Sequence, residues 1–235
     1  METEKVLIVI PAYNESFVIG RVVREIKTMY PAYSILVIND GSQDPTTREA
    51  ESAGALVVHH PYNLGIGGAV QTGFKIAKQE NFDATVQIDG DAQHNPDYLK
   101  DVLRPILSGE LDLCIGSRFL KEDSDFKSTF IRRIGIRFFA IFLGLLTGIH
   151  VTDPTSGYRA TSKKLIERFA GYYPVDFPEP EAIKIAKRYR ARVGEVPVSM
   201  RKRLGGISSI RYLKTFYYMI KVTLAILIDM LKRNH

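Results

Sequence analysis

The chain has 235 residues, 45% hydrophobic and 25% charged, the balance of an ordinary folded protein. That length buries most of the apolar surface without disulfides or structural metals, and the lone Cys114 excludes an internal disulfide. The net charge of +6 is uneven: residues 1–130 hold most of the acids, whereas the chain from Arg132 onward is basic, which suits an anionic partner such as nucleic acid, a phosphate substrate or an anionic membrane surface.

No basic-then-apolar leader precedes Val6–Ile10, which predicts a protein that is not secreted. Cys114, in the apolar run Leu111 to Ile115, reads as an inert core thiol and fits a reducing, cytoplasmic setting. The longest uncharged apolar run, Phe138 to Ile149, is far shorter than the about 20 residues of a spanning helix, so no transmembrane helix is expected.

In chain order, Val6–Ile10 reads as a strand, Glu15–Tyr30 as a helix, Ser34–Ile38 as a strand, Asp44–Ala53 as a helix and Leu56–His59 as a strand. Gly67–Lys78 follows as a helix, Ala84–Ile88 as a strand, Pro96–Leu107 as a helix with Pro in its first turn, and Leu111–Gly116 as a fifth strand. Beyond these, Arg132–Ile149 reads as a helix, 152–159 as a loop, Ser162–Phe169 and Pro180–Tyr189 as helices, and Ala191–Val198 as a strand. A basic loop at 201–209 and a final helix over 210–232 complete the chain. The alternation predicts an α/β fold, a mostly parallel central sheet flanked by helices, with ligands beyond the carboxyl ends of the strands.

Polar motifs sit at those ends. Pro11-Ala12-Tyr13 makes a stiff turn whose backbone groups can read a base edge. Glu15 follows, either as a ligand contact or as a charge suited to a helix start. Asp40, after the second strand, can accept hydrogen bonds from a ribose or base. Asp89-Gly90-Asp91 places two carboxylates just after an apolar strand, and leaving the pleat at Gly90 turns both toward one point. With the Gln93 amide oxygen they make a hard, oxygen-only site suited to Mg²⁺ or Mn²⁺ and to a diphosphate; a plain turn is the competing reading. The 63–69 segment lacks the Gly-Lys-Ser/Thr ending of a P-loop and reads as a close-packed helix start. Arg118, Arg132 and Arg133 can clamp phosphate, with surface ion pairs as the alternative. Arg201 and Arg203, flanking Gly205-Gly206, belong to a loop that can close over a donor.

Taken in order, the motifs at 11–15, 37–42, 89–94, 116–119, 153–159 and 195–197 resemble the inverting family 2 glycosyltransferases of GT-A fold, nearest the dolichyl- and polyprenyl-phosphate sugar synthases. The resemblance implies a catalytic domain over 1–210 and an amphipathic C-terminal helix, 211–235, for membrane-interface or oligomer contact. It places nucleotide-sugar contacts on Pro11, Ala12, Tyr13, Glu15, Asp40, Asp89, Gly90, Asp91, Arg201 and Arg203. Metal contacts fall on Asp89, Asp91 and Gln93, and acceptor-phosphate contacts on Arg118 with Arg132 or Arg133. The expected reaction is inverting transfer of one hexose-type sugar from a UDP- or GDP-sugar to a polyprenyl phosphate, for cell-envelope glycan or glycoconjugate synthesis.

A lipid monophosphate is already a nucleophile and needs no base. A sugar-hydroxyl acceptor, the alternative, needs a carboxylate, with Asp153 leading and Glu179 and Glu181 behind it. Asp91, Arg118 and Asp153 are thus the expected catalytic residues. Ile134–Ile149 and Phe216–Leu231 are apolar enough to lie in an interface. They point to a peripheral protein on the cytoplasmic face of the membrane, with a small membrane protein or a second copy as further partners and no nucleic acid.

Overall fold

A computed structural model describes residues 4–120 and 130–201, with side chains from 135 onward in the second stretch. The expected C-terminal helix and Arg203 lie outside the described residues, as do the side chains of Arg132 and Arg133.

The elements run β1 Val6–Ala12, α1 Ile19–Met29, β2 Ser34–Asn39, α2 Thr46–Ser52, β3 Leu56–His59, α3 Gly65–Gln79, β4 Ala84–Gln87, α4 Leu99–Leu107 and β5 Leu113–Ser117. They continue with α5 Phe130–Thr147, β6 Arg159–Ser162, α6 Lys163–Gly171, α7 Pro178–Arg188 and β7 Val193–Pro197. One sheet of seven strands has the order β3-β2-β1-β4-β6-β5-β7. All its pairings are parallel except those of β6, which runs antiparallel to both β4 and β5.

The apolar runs of β1 and β2 follow from burial on both faces. Successive β1 residues point to opposite sides: Val6, Ile8 and Ile10 pack with Val22, Ile26 and Leu103, whereas Leu7 and Val9 pack with Val70, Phe74 and Phe169. Helix α3 lies so close to β1 that a Cβ on Gly73 would come within 2.4 Å of Val9 Cγ1.

Two expectations are corrected. Helix α1 begins at Ile19, so Glu15 sits in the preceding turn, where its carbonyl accepts from the N–H groups of Val18 and Ile19, both at 2.9 Å. Residues 159–162, expected as loop and helix start, form β6. Since β6 is antiparallel, its first residue lies at the edge where β1, β2, β4 and β5 end, in register with Gln87 through Arg159. That brings the loop before it, 152–158, to the Asp89 turn.

The far end of the sheet is held by Asp112. Its carboxylate accepts from the Arg192 N–H at 2.7 Å and lies 3.9 Å from Lys164 Nζ. Burial pushes this carboxyl up, but the Arg192 hydrogen bonds and the nearby cations outweigh it and hold it below its ordinary 3.8. A depressed carboxyl contributes stability above that ordinary value and loses it as pH falls through the folded one. Asp112→Asn should therefore lower unfolding free energy by about 1–2 kcal/mol at neutral pH, with the difference shrinking below pH 3.8. Urea midpoints measured across that range check it; a gap independent of pH contradicts it.

Candidate active site

The turns after β1 and β2 are laced together. Asn14, at φ 55°, donates its N–H to Ser42 Oγ (2.9 Å), and Gln43 N–H returns to Asn14 Oδ1 (2.8 Å). Glu15 N–H bonds Thr46 Oγ1 at 2.9 Å, Ser16 N–H bonds Asp44 at 3.1 Å, and the Thr46 hydroxyl also donates to Asp44. Burial raises the Asp44 carboxyl, yet the Ser16 and Thr46 bonds outweigh it and leave it below its ordinary value. Pro11, Ala12 and Tyr13 sit on this edge, Tyr13 about half exposed and Ala12 accepting the Asp40 N–H at 2.9 Å. Asp40 is buried. Its carboxylate accepts from His60 Nδ1 (2.7 Å) and from the N–H groups of Leu64 and Gly65 (2.9 Å each).

Strand β4 delivers the acidic turn. Ala92 takes φ 63°, and Gln93 N–H bonds Asp91 Oδ1 at 3.0 Å, which curls the turn on itself. His94 is buried and stacked on Tyr158 at 4.9 Å. Its Nδ1 accepts the Asp89 N–H at 3.0 Å, and its Nε2 faces Asp89 Oδ2 at 3.5 Å. Both ring nitrogens are thereby directed at Asp89, which leaves the imidazole a holder of that carboxylate rather than a metal ligand. Gly157 covers the same group: a Cβ there would lie 3.1 Å from Asp89 Oδ1 and 3.2 Å from Gln87 Nε2. Among the described residues, Asp89 Oδ1 and Gln87 Nε2 are buried without a hydrogen-bond partner.

A carboxylate oxygen left unpaired in a buried place fits a cation. The described residues contain no group of three His, Cys, Asp or Glu able to hold a metal. A site of two carboxylates, Asp89 and Asp91, with the Gln93 amide suits an ion that fills its remaining positions with water and substrate phosphate.

Arg118 and Asp153, both expected at the site, meet each other there. They are 6% and 0% exposed and make a two-pronged pair, Nε to Oδ2 at 2.6 Å and Nη2 to Oδ1 at 2.7 Å. Arg118 Nη2 also bonds Thr155 Oγ1 at 3.0 Å, and Asp153 Oδ2 accepts the Arg118 N–H at 3.2 Å. These contacts hold the Arg118 guanidinium against the loop.

Glu195 on β7 secures the same loop, accepting from Thr152 N (2.6 Å), Thr152 Oγ1 (2.9 Å) and Asp153 N (2.8 Å). Burial raises the Glu195 carboxyl despite these bonds. Arg159 fastens the loop to α7, its three nitrogens donating to the carbonyls of Ser156 (2.7 Å), Pro154 (2.8 Å) and Glu179 (2.6 Å). Glu179, in the first turn of α7, has its carboxyl raised by burial; the Arg159 charge opposes this, and Asp89 adds to it.

Arg201, expected at the donor, lies beside the acidic turn. Its guanidinium bonds Glu25 Oε1 on α1 and Asn95 Oδ1, both at 2.6 Å, and its N–H bonds Gln93 O at 2.8 Å. It clips the chain after β7 to the acidic turn. Arg132 and Arg133 lie in the first turn of α5. Among the sequence's unassigned residues, His60, His94, Gly157, Arg159 and Glu195 all serve this edge. The signal available was a polar or glycine residue inside or just beyond an otherwise buried strand.

The seven-stranded, mostly parallel sheet flanked by helices is a GT-A fold. The chain belongs to glycosyl transferase family 2, whose model, "Glycosyl transferase family 2", matches residues 7–169, and it is a nucleotide-sugar-dependent glycosyltransferase. It is 31% identical over 221 residues to the UDP-N-acetylglucosamine–dolichyl-phosphate N-acetylglucosaminyltransferase of Methanococcus voltae, covering 84% of this chain and 86% of that one. It is 28% identical to the polyprenol monophosphomannose synthase of Mycolicibacterium smegmatis, covering 88% of this chain and 81% of that one. The glucosyl-3-phosphoglycerate synthase of Mycobacterium tuberculosis, solved with Mn²⁺, UDP-glucose and phosphoglyceric acid, shares the fold with a TM-score of 0.73 at 22% identity, over 96% of this chain and 79% of that one.

The Arg118–Asp153 geometry makes a measurable distinction. Asp153→Asn leaves a buried guanidinium without its counter-charge and should cost about 3–5 kcal/mol of stability, read as a large drop in melting temperature. A general-base role instead requires normal melting with kcat abolished.

Proposed function

We propose that the chain transfers one sugar, with inversion, from a nucleotide-sugar donor to a polyprenyl phosphate at the cytoplasmic face of a membrane. The observation that carries the reading is the buried, unpaired Asp89 Oδ1 at the edge where β1, β2 and β4 end. The relatives named as dolichyl-phosphate and polyprenol transferases supply the acceptor class.

Asp89, Asp91 and Gln93 would hold Mg²⁺ or Mn²⁺, which when bound neutralises the diphosphate leaving group. Pro11, Ala12, Tyr13, Glu15 and Asp40 bind the nucleoside, on the edge adjoining the acidic turn. Gly157 limits the space over Asp89, and the loop locked by Arg118, Asp153, Glu195 and Arg159 fixes that limit. Arg118 and, at the start of α5, Arg132 or Arg133 are the acceptor-phosphate candidates. A phosphate oxygen attacks without a base once it is held in line, so the enclosure of Asp153 costs this reaction nothing.

Membrane contact has its own support. No helix among the described residues is long and apolar enough to cross a membrane. The outer face of α5 instead exposes Phe138, Ile141 and Leu145 at 56%, 58% and 81%, spaced to share one side. Arg137 is exposed beside them, which suits a helix lying in an anionic interface.

A sugar-hydroxyl acceptor is favoured by one feature, the raised Glu179 carboxyl near Asp89. One experiment separates the readings. UDP- and GDP-sugars are offered with Mn²⁺ to the protein and anionic vesicles carrying undecaprenyl phosphate, using wild type, Asp91→Ala and Glu179→Gln. The expected result is sugar in the lipid phase, co-sedimentation of protein with vesicles, loss of transfer in Asp91→Ala by at least about 10³-fold, and near-normal transfer in Glu179→Gln. Transfer only to glycan hydroxyls, abolished in Glu179→Gln, contradicts the proposal.

A further inference from the structure

His60 lies just beyond β3, 9% exposed, with a partner on each ring nitrogen. Nδ1 meets Asp40 Oδ1 at 2.7 Å, and Nε2 meets Thr72 Oγ1, on α3, at 2.9 Å. The imidazole therefore spans from the end of β2 to α3 and cannot turn without losing one contact. A carboxylate only accepts, so Nδ1 carries the proton between them.

Asp40 gathers two more donors, the N–H groups of Leu64 and Gly65 at the start of α3, with Gly65 at φ 81°. The turn is tight: a Cβ on Gly41 would lie 2.8 Å from Asn63 N. A carboxylate has about four acceptor sites, and the chain's own groups take three. One acceptor site is left on a side chain that is 4% exposed and otherwise immobilised.

We infer that His60 is a positioning residue for the donor: it fixes the Asp40 carboxylate so that its remaining acceptor site takes an N–H or O–H of the nucleoside. Thr72 acts through His60 by holding the far side of the ring. This rests on the donor reading above and adds to it a residue just beyond β3 that never touches the sugar. Preorganising one acceptor strengthens nucleotide binding without altering the transfer step, so the effect belongs in the donor KM and not in kcat.

Side-chain isosteres isolate the contact. The Asn amide nitrogen falls where Nδ1 sits and can still donate to Asp40. The Gln amide nitrogen falls where Nε2 sits and keeps only the Thr72 side. The test is calorimetric binding of UDP and of GDP, with Mn²⁺, to wild type, H60N, H60Q and Thr72→Val, alongside steady-state kinetics and melting curves.

For whichever nucleotide wild type binds, H60Q should weaken binding about tenfold, the scale of one lost charged hydrogen bond. H60N should stay within about threefold of wild type and Thr72→Val between the two, with kcat unchanged throughout. A packing role would rank the larger Gln above Asn and would follow the loss of melting temperature; that order, or equal affinity in all variants, overturns the inference. Should H60Q fail to fold, Thr72→Val against H60N carries the same comparison, and a Thr72→Val affinity equal to wild type overturns it. Wild type that binds neither nucleotide contradicts the donor reading, and this inference with it.

Discussion

Arg118 and Asp153 are both withdrawn from water, and neither charge is tolerable there alone. Removing an ion from water costs several kcal/mol in a real protein, and only a close, two-pronged partner with further hydrogen bonds offsets it. That condition binds the end of β5, which carries Arg118, to the loop that leads into β6. Glu195 adds the end of β7 to the same knot through two backbone N–H groups, and Arg159 adds the start of α7 through the Glu179 carbonyl. Four elements from distant parts of the sequence are thus tied at this edge by charge satisfaction, in addition to their apolar packing. The position of Gly157 over Asp89 is a consequence.

The other half of the edge is organised differently. There the β1 and β2 turns exchange hydrogen bonds through Asn14, Ser42, Asp44 and Thr46, and Asp40 collects donors from β3 and α3. These contacts shape the surface proposed to take the nucleoside and leave Tyr13 half exposed on it. The acidic turn lies between the two halves. It is steadied on one side by His94 and on the other by Arg201, whose N–H bonds the Gln93 carbonyl. A donor would bridge a rim of aromatic and hydrogen-bonded polar groups and a wall of buried charge.

Much of this was legible in the sequence. β1 to β5 announce themselves as short apolar runs, and their alternation with helices fixes a parallel sheet whose carboxyl ends gather the polar motifs. β6 did not announce itself. Its four residues, Arg-Ala-Thr-Ser, carry no apolar alternation, and their extended state comes from pairing with β4 and β5 rather than from local preference. With β6 unread, the way its loop returns to Asp89 was unreadable too. Arg118, Asp153 and Arg201 were recognised as residues with chemistry to do, but their partners lie 35 residues away for the first pair and 176 for Arg201 and Glu25. Nothing in local spacing tells a guanidinium aimed at phosphate from one aimed at a distant carboxylate.

The central claim is that the β6 loop closes on Asp89 and sets the space available to the metal and diphosphate. Mn²⁺ binding in the presence of UDP, followed by electron paramagnetic resonance in wild type and Gly157→Ala, addresses it directly. A methyl at Gly157 would stand 3.1 Å from Asp89 Oδ1, so the substitution should weaken nucleotide-dependent Mn²⁺ binding about tenfold or more while the melting curve stays close to wild type. Unchanged Mn²⁺ affinity in Gly157→Ala would contradict the account and put the metal away from Asp89.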